Sequence, residues 1–113
     1  MYEFPNLNIE IVERDGAVML MLDGEIDLCA APELEASLRR VGAEHSKPVV
    51  VDLDRVSFMD SAGVHVLLQF ALLDGNRRRL ALTRGSPQVR RLLEITGVGR
   101  YLTIVASPQL RSA

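Results

Sequence analysis

The sequence predicts an α/β fold: a mixed β-sheet of about five strands with helices packed mainly on one face, in the chain order β-β-α-β-α-β-α-β. Three observations predict it. Two apolar segments flank Asp15-Gly16, a dipeptide that tolerates the positive φ values of a tight hairpin. The run Val49-Val50-Val51-Asp52-Leu53 has the β-branched character of an interior strand. Stretches with apolar residues at helical spacing separate the later strand candidates, so those strands are expected to run parallel. At 113 residues, 48% of them apolar, the chain fits a single domain over 1–113.

In order along the chain, Ile9 and Ile11 alternate with Glu10 and Val12 in a first strand. Beyond the turn, Ala17-Val18-Met19-Leu20-Met21-Leu22 is apolar throughout, which predicts a strand covered on both faces, and Asp23-Gly24 then bends the chain. Pro32 suits a first helical turn; Leu34, Leu38 and Val41 place a helix over 30–43, closed near Gly42. After the Val49 strand, a second helix starts at Asp60 or Ser61 and continues until Gly75 and Asn76 end it. Leu80 and Leu82 alternate with Ala81 and Thr83 in another strand. Ser86-Pro87 then caps a third helix, with Val89, Leu92, Leu93 and Thr96 on one face and Gly97 as its stop. A last strand is predicted over 101–105, followed by a tail too short to form a helix unaided.

Charge and composition narrow the function. Thirteen Lys and Arg against fifteen Asp and Glu give a formal net charge of −2, so no overall field draws the chain to nucleic acid or anionic lipid. Arg77-Arg78-Arg79 lacks interleaved aromatics and reads as a solvated turn. The start lacks the basic and apolar regions of a signal peptide, and no apolar run is long enough for membrane insertion, so a cytoplasmic location is expected. The lone Cys29 reads as a small buried apolar filler, and His45 and His65 stand too far apart for a metal site. No cofactor is expected, and a homodimer is compatible with the composition.

Ser61 is the most informative residue. A strand-to-helix junction presents its hydroxyl where unpaired N–H groups and the helix dipole favour an anion. Phosphate there would add roughly −1.5 to −2 charge beside Asp60. The alternative is that Ser61 or Asp60 simply caps the helix. Val64, Val66, Leu67, Leu68, Phe70, Ala71, Leu72 and Leu73 make the second helix apolar nearly all round, so it needs either a neighbouring helix or a partner as cover. A serine hydrolase is disfavoured, because Met59 replaces the first glycine of G-x-S-x-G, the chain is far shorter than that fold needs, and neither histidine has a convincing orienting acid in its sequence context.

Four segments together resemble the STAS domains, in their free-standing anti-sigma factor antagonist form: Gly24-Glu25-Ile26-Asp27, Val50-Val51-Asp52-Leu53, Phe58-Met59-Asp60-Ser61-Ala62-Gly63 and Ser86-Pro87-Gln88-Val89-Arg90-Arg91-Leu92-Leu93, closing on Thr96-Gly97. The resemblance runs from about residue 7 to 106. It implies a regulatory protein, not an enzyme. Its unphosphorylated form binds an anti-sigma factor serine kinase and releases the sigma factor; phosphorylation of Ser61 switches binding off, and a serine phosphatase restores it. Asp27, Glu25, Asp60, Ala62, Gly63 and His65 are the implied partner-binding residues. Ala62 stands where Ser or Thr is commoner, and His65 where a small residue is usual, one turn after Ser61 on the same face. The tail is shorter than the family's final helix. Related domains that do not switch, in stress-signalling complexes or as accessory subunits of lipid-transport ABC systems, are the alternative.

Overall fold

A computed structural model describes residues 5–73 and 79–106. The hairpin forms as predicted: strand β1 (Leu7–Arg14) runs antiparallel to β2 (Ala17–Ile26), with Asp15 at φ 52 and Gly16 at φ 78 in the turn. Helix α1 (Ala31–Glu44) follows with a proline in its first turn, then the central strand β3 (Val49–Met59) and helix α2 (Ser61–Leu73). Strand β4 (Leu80–Thr83), helix α3 (Pro87–Thr96), a 3-10 turn (Val98–Arg100) and strand β5 (Thr103–Val105) complete the described chain. The five strands lie side by side in sequence order, parallel from β2 onward. No helix among the described residues is long and apolar enough to cross a membrane.

The core sits between one face of the sheet and the helices. Cross-strand partners share a face, so Val18↔Val49↔Leu80 and Leu20↔Val51↔Leu82 stack in rows beneath Leu34, Leu38 and Val41 of α1, Leu67 of α2, and Val89 and Leu93 of α3. Met19, on the opposite face, is also buried at 2% exposure, as expected for a strand covered on both sides.

Asp23-Gly24 marks an irregular stretch inside β2, which continues to Ile26 with the glycine, at φ 126, between two register irregularities, while four other local expectations are corrected. A Cβ there would lie 2.2 Å from the Asn6 carbonyl oxygen, which accepts from Glu25 N. Gly42 does not close α1. It lies inside the helix because Phe70 of α2 packs against it, 2.9 Å from where a Cβ would stand, and this helix pair covers part of the apolar surface of α2. Cys29 is exposed; in the turn of residues 27–30 it is Ala30 that points into the core. Thr96 is exposed, its hydroxyl donating to the Leu92 and Leu93 carbonyls within α3. The last strand is shorter than 101–105, because the 3-10 turn leads into it. Gly75, Asn76, Arg77, Arg78 and the tail from residue 107 lie outside the described residues.

Arg79 departs furthest from its sequence context. It is 8% exposed, and its guanidinium donates to the carbonyl oxygens of Gly42 at 3.2 Å, Lys47 at 3.4 Å and His45. These carbonyls belong to the end of α1 and the loop after it, where helical partners run out. A planar, permanently charged fork satisfies several at once. Its own carbonyl accepts from Val49 N at 2.9 Å, so one residue ties α1, β3 and β4 together.

Two predictions follow from this wiring. Arg79→Ala should lower unfolding free energy by on the order of 2–3 kcal/mol, and Arg79→Lys should recover less than half, as read by urea titration. On the surface, Lys47 bonds the Glu13 carboxylate and holds its pKa below the ordinary value, with a smaller pull from His45. A depressed folded-state pKa means that the ion pair supports folding above the unfolded value and fades as pH falls through the folded one. NMR titration of the Glu13 carboxyl should show its midpoint rise in Lys47→Ala.

Candidate functional site

The site forms where the parallel strands β2 and β3 end together. Ile26 pairs with Met59, and Asp60 N donates to the Ile26 carbonyl at 3.1 Å, so the loop leaving β3 is fastened to the end of β2. Immediately after Ile26, residues 27–30 turn into α1; immediately after Asp60, α2 begins. Asp27 and Ser61 are thereby brought to the same end of the sheet although 34 positions separate them.

The start of α2 separates two roles that the sequence left open. Asp60, not Ser61, is the cap: its Oδ1 accepts from Ala62 N at 2.9 Å, and its carbonyl accepts from Gly63 N at 3.1 Å and Val64 N at 3.4 Å. Ser61 is the first helical residue and is exposed, and among the described residues no hydrogen bond engages its hydroxyl. The oxygen therefore faces solvent, beside the amide-rich end of a 13-residue helix.

Asp27 has a structural duty of its own. Its Oδ1 accepts from Ala30 N at 3.0 Å, while its backbone carbonyl accepts from Ala30 N at 3.1 Å and Ala31 N at 2.9 Å, which sets the turn into α1. Glu25, Asp27, Asp60 and Ala62 are all half-buried around Ser61, and His65 is exposed one turn further along α2. Gly63 does not belong with these surface residues. It is buried, and a Cβ on it would stand 2.7 Å from Ile26 Cγ2 and 2.8 Å from Met59 Cγ, so its smallness lets α2 settle onto the strand ends.

Sequence reasoning missed two apolar contributors and one polar one. Leu28 is 76% exposed in the turn after Asp27, and Phe58 is 40% exposed, paired in register with Glu25. Large exposed apolar side chains beside a polar centre are the composition of a docking surface. The adjacent apolar pair Phe58-Met59 at the strand's end was the signal for Phe58, since alternation can bury only one of the two; Leu28 gave no signal. The polar contributor is Gln88, whose amide bonds the backbone of Met59 on both sides, at 2.9 Å to N and 2.9 Å to O. Among the described residues, no group of three or more His, Cys, Asp or Glu side chains is placed to hold a metal ion.

Comparison with known proteins agrees with this architecture. The STAS domain family model matches residues 8–110. The anti-sigma-B factor antagonist of Staphylococcus aureus (strain NCTC 8325 / PS 47) is 34% identical over 94 residues, spanning 82% of this chain and 87% of that protein. The crystal structure of an anti-sigma factor antagonist from Mycobacterium paratuberculosis superposes with a TM-score of 0.81 at 28% identity, covering 94% of this chain and 89% of that one. The Bacillus cell fate determinant SpoIIAA in its phosphorylated form shares the fold, with a TM-score of 0.66 at 24% identity over 94% of this chain and 95% of that one. A sheet of this strand order, a serine-led helix at its end and matched relatives along almost the whole chain place it plainly: the chain belongs to the STAS domain family.

Proposed function

We propose that this chain is an anti-sigma factor antagonist whose unphosphorylated form binds an anti-sigma factor and releases a sigma factor, with Ser61 as its off switch. The observation that carries the reading is the division of labour at the start of α2: Asp60 satisfies the helix, which leaves the Ser61 hydroxyl exposed and unengaged among the described residues. An anti-sigma factor that is itself a serine kinase transfers the γ-phosphoryl group of ATP to Ser61 Oγ, the hydroxyl proton leaves, and ADP departs. A serine phosphatase reverses the modification. The name of the Staphylococcus aureus relative supports the same role.

Binding and blocking follow from one surface. Leu28 and Phe58 supply apolar area, while Glu25, Asp27 and Asp60 supply an acidic rim suited to a partner arginine. A phosphoryl group on Ser61 adds roughly −1.5 to −2 charge in the middle of that surface. A partner that closes over Ser61 must then dehydrate a dianion, and binding fails. In this reading His65, one turn along the helix, pairs with the phosphate when protonated.

Incubation with ATP and the cognate kinase, followed by mass spectrometry, should place one phosphate on Ser61; modification elsewhere, or none, overturns the switch. Ser61→Asp should abolish anti-sigma factor binding in calorimetry, whereas Ser61→Ala should bind as wild type and resist inactivation by the kinase. Asp27→Asn keeps the oxygen that caps Ala30 and removes only the charge. It should weaken docking about tenfold, in line with the loss of one charged contact, at unchanged thermal stability. Equal affinity would take Asp27 out of the interface.

A further inference from the structure

Beyond Val51 the central strand loses one of its neighbours. β4 pairs with β3 only through Val49↔Leu80, Val50↔Ala81 and Val51↔Leu82, yet β3 runs on to Met59. In extended backbone the N–H and C=O of one residue point to the same side, so alternate residues of β3 past this point face a lane with no strand in it. Two side chains bond β3 there at two points. The Thr83 hydroxyl accepts from Leu53 N at 2.7 Å and donates to Asp52 Oδ1 at 3.3 Å. Further along, Gln88 in the first turn of α3 accepts from Met59 N through Oε1 at 2.9 Å and donates from Nε2 to the Met59 carbonyl at 2.9 Å.

A primary amide carries an acceptor and a donor side by side, as a neighbouring strand's peptide groups would. The opposite amide orientation would set donor against donor and acceptor against acceptor, so only one fits. The gripped residue precedes Asp60, which caps α2, and lies two positions before Ser61. On the far side the Asp60 N–H is held by the Ile26 carbonyl at 3.1 Å. The segment is thus tied from β2 on one side and from α3 on the other.

We propose that Gln88 is a positioning residue for the switch: by standing in for the missing strand it fixes the backbone at Met59 and Asp60, so that α3 governs how the Ser61 hydroxyl is presented. The kinetic consequence rests on the reading of Ser61 as a phosphoryl acceptor. Gln88 is exposed, so truncating it opens no cavity in the core and its effect is confined to the two bonds at Met59.

The test uses the full chain and two measurements. In Gln88→Ala, amide hydrogen exchange at Ala62 and Gly63 should speed up about tenfold, the scale expected from losing a pair of hydrogen bonds, and should become faster relative to Val51 and Leu82 than in the wild type. With ATP and the cognate kinase, kcat for Ser61 should fall by a similar factor at near-constant KM, measured well below the Tm of the variant. Gln88→Glu keeps the shape but loses the donor at neutral pH; its exchange defect should shrink towards pH 5, where the carboxyl begins to regain its proton. Wild-type exchange at Ala62 and Gly63 in Gln88→Ala overturns the proposal. So does a wild-type kcat. A wild-type chain that takes no phosphate at Ser61 instead overturns the switch and the kinetic consequence with it, while exchange alone still decides whether Gln88 holds the segment.

Discussion

The structure depends on a central strand that outruns its neighbour. β3 has to be long to carry the chain from the core to the exposed start of α2, and β4 stops at Thr83. A strand that continues without a partner leaves polar backbone groups at a half-buried edge, a position folded proteins rarely tolerate. On one side β2 keeps pace, with β3 carrying an extra residue at each of two irregularities. On the other side Thr83 and Gln88 supply the missing bonds. The end of β3 is therefore anchored at Leu53 and at Met59 by side chains where a neighbouring strand is missing.

That anchoring gives meaning to the arrangement one residue later. If Ser61 were the cap, its oxygen would be turned inward to the helix amides, and modification would cost the helix a bond that Ser, Thr, Asp or Asn caps supply at about 1 kcal/mol. Because Asp60 caps instead, a group added to Ser61 would take no capping bond from the helix. In the proposed switch, the difference between the two states would then fall on whatever covers Ser61 and not on the fold.

Features governed by neighbouring residues were legible in the sequence. Asp15-Gly16 dictated the hairpin, Ser86-Pro87 with Gly97 bounded α3, and the β-branched run marked the central strand. Features decided by residues far apart were not. Gly42 carries the signature of a helix stop, but Phe70, 28 positions later, needs the space above it. Arg79 closes a run of arginines that looks solvated, while its guanidinium is taken up by α1. At the site the same division holds. Ser61 announced itself by its junction, whereas the exposure of Leu28, the burial of Gly63 and the grip of Gln88 on Met59 are set by tertiary packing that no local pattern encodes.

The start of α2 sets two electrostatic tendencies against each other. The amide end of a helix attracts an anion, worth about 0.3–1 kcal/mol at an exposed position, while the nearby carboxylates of Asp60 and Asp27 repel it. In water both effects are weak, because exposed charges are screened within roughly 8–10 Å. The phosphorylated chain on its own therefore gains or loses little. A partner closing over Leu28 and Phe58, as proposed, would change the balance: water would leave, the local dielectric would fall, and the repulsion and the dehydration cost of the dianion would grow together. In the proposed interface, exposed apolar side chains at the end of the sheet would thus be more than adhesive. By making such an interface dry, they would let a small change in charge decide whether it forms.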